Sequence, residues 1–111
     1  MGRVPLGRSL VGLSIDVREG EPTEVTLVGE LDAFSARDLR DCLRGMINAD
    51  QHSIVIDCTA LNFIDSTALG VLVAAMKRAR HNGGDIKLRG PQPPVKQLFD
   101  LMGLSRVFDI D

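Results

Sequence analysis

The chain has 111 residues, enough for one hydrophobic core and too few for two, and its 44% hydrophobic and 25% charged residues fit a folded globular domain, which excludes disordered and fibrous classes. Thirteen basic side chains against fifteen acidic ones leave a net charge of −2, with no electrostatic footprint for gripping nucleic acid, and none of the four phenylalanines lies in a basic stretch that could stack bases. No run of about 18 apolar residues is present, and the opening Met-Gly-Arg-Val-Pro-Leu has neither a signal-peptide nor a myristoylation pattern, so a cytoplasmic protein with no membrane contact is expected.

Residues 1–8, with two glycines, one proline and two arginines, read as a flexible N-terminal arm, and residues 9–111 as the folded domain. Leu13, Ile15 and Val17 alternate with Ser14, Asp16 and Arg18, the period-two pattern of a strand with one buried face. Glu19 to Pro22 turns the chain, and a second alternation through Val25, Leu27 and Gly29 predicts an antiparallel hairpin ending near Leu31.

Leu39, Cys42, Leu43, Met46 and Ile47 follow helical spacing on one face. Ser35 is expected to cap this helix, with Asp38 at the third helical position and Phe34 stapled onto Leu39 across the first turn. Ser53 to Asp57 is a short continuous apolar run, expected as a central strand covered on both faces, and Cys58 to Ile64 reads as a loop. Cys42 and Cys58 carry no metal-ligand or redox spacing and read as reduced, buried thiols.

A second helix begins at Asp65 or Ser66, carries Leu69, Leu72, Val73 and Met76 on one face, and stops at His81-Asn82-Gly83-Gly84. Val71, Ala74 and Ala75 widen its apolar surface and predict deep burial. Ile86 and Leu88 mark a short strand, Val95, Leu98, Phe99 and Met102 a third helix stopped by Gly103, and Val107 to Ile110 a last strand. The order of elements calls for right-handed crossovers and a mixed α/β sheet.

Asp65-Ser66-Thr67 is the most informative point on the chain. Asp65 suits the N-cap, with its carboxylate accepting from the backbone two or three residues on, while Ser66 would take the first helical position with its hydroxyl facing solvent. On its own such a tripeptide reads as ordinary capping.

Four motifs in order add to that reading: Gly29-Glu30-Leu31-Asp32, Ile54-Val55-Ile56-Asp57, Phe63-Ile64-Asp65-Ser66-Thr67-Ala68-Leu69-Gly70, and Val95-Lys96-Gln97-Leu98-Phe99 followed by Gly103-Leu104. Through them the chain, from about residue 10 to 110, resembles the STAS family, the sulfate transporter and anti-sigma factor antagonist domains, and within it the free-standing bacterial antagonists. The resemblance implies a mixed sheet of about five strands with helices packed mainly on one face, and a final family helix for which this sequence has no counterpart. It also implies that Ser66 is phosphorylated by an ATP-binding anti-sigma factor serine kinase and dephosphorylated by a phosphatase. Asp32, Asp65, Ser66, Thr67 and Ala68 would form the partner-binding surface of a monomer or weak dimer that holds no cofactor. Ala68 departs from the glycine often found after the hydroxyl pair.

The same residues admit other readings. A regulatory or scaffold subunit of a transport system or stress-signalling complex would keep the fold and change the partner. An enzyme with Ser66 as nucleophile and His52 or His81 as base lacks the Gly-x-Ser-x-Gly elbow. Asp32, Asp57 and Asp65 could offer oxygen ligands to Mg²⁺, though loop acids are more often caps. Arg37, Arg40 and Arg44, interleaved with Asp38 and Asp41, read as a solvated mixed-charge face that could also touch a partner.

Overall fold

Period-two alternation builds the sheet as the sequence predicts: Leu13, Ile15, Val17, Val25 and Leu27 are all buried, while the residues between them are half-buried or exposed. The computed structural model describes the backbone of residues 3–8 and residues 12–111 in full. Its elements run β1 (Arg3–Arg8), β2 (Leu13–Arg18), β3 (Thr23–Leu31), α1 (Ser35–Asn48), β4 (Ser53–Ile64), α2 (Ser66–His81), β5 (Asp85–Arg89), α3 (Pro93–Leu101) and β6 (Asp109–Ile110).

The strands lie side by side in chain order. β1, β2 and β3 are antiparallel, and β3 to β6 are parallel. Right-handed crossovers that always step the same way put α1, α2 and α3 on one face, where Leu39, Leu43, Leu69, Leu72, Val95 and Phe99 join the strand residues in a single core. β1 is a strand beyond the five expected. Residues 3–8 were expected in a flexible arm and instead pair with β2 from Arg3↔Arg18 to Arg8↔Ser14, covering an edge that would otherwise show a row of open N–H and C=O groups. Residues 1 and 2, and the expected domain start at residue 9, lie outside the described residues.

β4 corrects two expectations. It continues through Cys58–Ile64, which read as a loop, because pairing with β3 persists to Leu31↔Ile64 across two register shifts. Those irregularities make the buried positions Cys58, Leu61 and Ile64 recur every third residue, which hides the period of two. Nor is the strand covered on both faces. Val55 is buried but stands outside the core cluster, in register between Glu24 and Lys87 on a sheet face that carries no helix.

The end of α2 is a Schellman motif, with Gly84 N–H donating to Ala79 O at 2.8 Å, Gly83 N–H to Arg80 O at 3.1 Å, and Gly83 at φ +86°. α2 itself is less buried than expected, since Ala74 is exposed and Val71 and Ala75 are only half-buried. β6 is shorter than the predicted last strand because the Val107 and Phe108 N–H groups donate to Leu104 O in a turn, at 3.0 and 3.1 Å, and Phe108 packs edge-on to Phe99 with ring centroids 5.5 Å apart. Cys42 and Cys58 are free and buried as predicted. Burial pushes the Cys42 thiol up to about 11, and burial together with the Asp57 charge pushes Cys58 up to about 12.

Candidate functional site

Because β3 and β4 are parallel and in register at Leu31↔Ile64, Asp32 and Asp65 leave the sheet side by side at its carboxyl edge, tied by Asp65 N–H donating to Leu31 O at 3.2 Å. That edge is where open parallel sheets present their sites. Asp65 is extended, with φ −110° and ψ 176°, and its Oδ1 accepts the Ala68 N–H at 2.9 Å. The predicted cap is present.

Asp32 has a role that the sequence reading gave to Ser35. Its Oδ1 accepts the Phe34 and Ser35 N–H groups at 3.0 Å each, while Ser35 Oγ accepts the Asp32 N–H at 2.9 Å. Ser35 therefore sits inside the first turn of α1 with its side chain buried, and Asp32 tethers the turn. The Ser35 N–H is the chief cause that holds the Asp32 carboxyl below its ordinary 3.8. Partial desolvation opposes it, and the Ser35 hydroxyl and Phe34 N–H add to the lowering.

Ser66 and Thr67 are exposed in the first turn of α2. Four of the five predicted partner-facing residues thus share one edge: Asp32, Asp65, Ser66 and Thr67. Ala68 leaves this surface. It is fully buried, with its methyl in the core and its N–H taken by Asp65, so it supports the site from beneath.

Two aromatic residues join the edge. Phe34 is 82% exposed, so no staple onto Leu39 forms, and Phe63 is 48% exposed in register with Glu30. Burying rings of this size is a large gain in an interface, and a ring held out on a tethered turn loses little entropy on binding. The sequence carries no signal for this exposure, since Phe34 reads equally well as a staple onto Leu39.

The rival constellations come apart. His52 precedes β4 and Ser66 follows it, so the two stand at opposite ends of a 12-residue strand. His81 closes α2, fifteen residues and roughly 22 Å from Ser66 along the helix. Asp57 turns its carboxylate to its own strand, accepting from Thr59 N–H at 2.9 Å and Thr59 Oγ1 at 2.7 Å. Among the described residues, no three His, Cys, Asp or Glu side chains gather as a metal site, and no helix is long and apolar enough to cross a membrane.

The STAS domain family matches residues 14–111. The anti-sigma-B factor antagonist of Bacillus subtilis (strain 168) is 33% identical over 102 residues, which covers 90% of this chain and 92% of the relative. The fold is that of the anti-sigma factor antagonist SpoIIAA in its unphosphorylated form, with a TM-score of 0.77 at 23% identity over 90% of this chain and 88% of the other. It is also that of the phosphorylated form from Bacillus, with a TM-score of 0.70 at 22% identity over 90% and 91%.

Proposed function

The chain belongs to the STAS domain family, and from that premise we propose that it is an anti-sigma factor antagonist, a binding regulator rather than an enzyme, whose affinity is switched by phosphorylation of Ser66. Unmodified, it binds an ATP-using anti-sigma factor kinase through Ser66, Thr67, Asp32, Asp65, Phe34 and Phe63, and so frees a sigma factor. A phosphatase acting on phospho-Ser66 restores binding.

The observation that carries this reading is an exposed hydroxyl at the first position of α2, beside two half-exposed carboxylates. Phosphate on Ser66 brings about −1.5 to −2 charges to an edge that already holds Asp32 and Asp65. In a closed interface, like charges set together cost several kcal/mol, and each ~1.4 kcal/mol is tenfold in affinity. The helix start meanwhile accommodates a phosphate, since its backbone N–H groups and dipole favour negative charge. The partner is lost and the fold is kept.

Incubation of the purified protein with the anti-sigma factor of the same organism and ATP, followed by peptide mass spectrometry, tests the site. One phosphate on the peptide holding Ser66, absent in Ser66→Ala, is expected. Phosphate on Ser14, Ser53 or Ser105 instead would overturn the assignment.

A further inference from the structure

Beside the switch, α1 and α2 pack against each other but leave the space between their outer sides unfilled. A groove of about 270 Å³ runs between them, lined on α2 by Thr67, Gly70, Val71, Ala74, Ala75 and Arg78, and on α1 by Arg40, Arg44 and Ile47. Its apolar lining is Ile47, Val71 and the two alanines, and it is the reason that Val71, Ala74 and Ala75 escape the burial their sequence pattern predicts.

The charge around this lining is of one sign. Arg40 is the exception to full availability, since it leans on Asp41 at 3.2 Å in an exposed pair worth little in water. Arg44 and Arg78 make no side-chain ion pair among the described residues. Three guanidinium groups thus stand over an apolar strip on a chain whose net charge is −2. An arginine head with its stem on apolar surface suits carboxylates presented beside apolar side chains.

Resting on the switch reading above, we propose that this groove docks an acidic amphipathic helix of the anti-sigma partner, apolar face down, with glutamate or aspartate side chains reaching Arg44 and Arg78. The groove begins at Thr67, next to Ser66, and ends at Arg78, eleven residues and about 16 Å farther along α2. One face of a helix three turns long covers that span. Docking here adds area that phosphate on Ser66 does not reach, and a positive wall that steers an acidic surface toward the switch.

The test titrates ¹⁵N-labelled full-length protein with two synthetic amphipathic helical peptides, one with leucines flanked by glutamates and one with the same leucines flanked by lysines. Saturable shifts at Arg44, Gly70, Val71, Ala74 and Arg78 are expected with the glutamate peptide, at least tenfold weaker binding with the lysine peptide, and loss of the response in Arg44→Glu/Arg78→Glu. Equal binding of both peptides, shifts elsewhere, no response, or oleate shifting these residues more strongly than the glutamate peptide would overturn the proposal. The same variant and Ala74→Gln are then titrated with the anti-sigma factor of the same organism, with a thermal melt to show that each is folded. Affinity at least tenfold below wild type is expected. Wild-type affinity in both variants sinks the groove while leaving the switch intact. Failure of unmodified wild type to bind that factor sinks the switch reading, and the peptide titration still decides the groove.

Discussion

Asp32 and Asp65 follow equivalent positions on adjacent strands, and each holds the turn that starts a helix. Replacing Asp65 with alanine removes the acceptor for Ala68 N–H and should lower stability by about 1 kcal/mol, read as a lower denaturant midpoint with an unchanged slope. Asp32 gives a pH signature. Its carboxyl titrates lower in the folded chain than its ordinary 3.8, so its stabilisation is present above that value and is lost as pH falls through the lowered value. Thermal melts between neutral pH and pH 3 should show wild type losing stability faster than Asp32→Asn in the acid range, and parallel curves would contradict the tether. Asp65 was legible in the sequence because one capping residue stands directly before the apolar helical pattern. Asp32 was not, since Asp32 and Ser35 are both good caps three residues apart, and the choice between them is made by where β3 delivers the chain.

At the scale of elements, the helices were the easier reading, because 3.6-residue spacing marks a buried stripe on each, from Leu39 to Ile47 in α1, Leu69 to Met76 in α2 and Val95 to Phe99 in α3. β4 was read only as far as Asp57, because a strand with bulges loses its period while keeping its pairing. The burial of α2 is hidden for a different reason: sequence shows which residues are apolar, and only packing shows that a groove toward α1 leaves Val71, Ala74 and Ala75 partly uncovered. Gly29, within β3 two residues before its end, has φ +110°, and a Cβ there would overlap the Gly12 carbonyl. Gly29→Ala should cost about 1–3 kcal/mol from backbone strain alone, measured by chemical denaturation. The thiols of α1 and β4 report on opening of these elements. With both raised well above their ordinary 9.0, Cys42 and Cys58 should resist alkylation in the native protein at pH 8 and react fully in denaturant. Rapid native labelling of Cys58 would show that β4 is not the buried strand described.

The whole molecule is a sheet with helices on one face and a carboxyl edge that gathers two caps, two hydroxyls and two exposed phenylalanines. The fold class and the position of Ser66 could be read from periodicity, capping and motif order. The phenylalanines and the open groove could not, because both arise from what tertiary packing leaves uncovered. The proposed switch keeps one fold in both states, so Ser66→Asp should match wild type in far-ultraviolet circular dichroism. The most direct measurement is a calorimetric titration of the anti-sigma factor with unmodified protein and with protein phosphorylated at Ser66. Binding by the unmodified form and at least a tenfold loss on phosphorylation is the predicted result, and equal affinity of the two forms would contradict it.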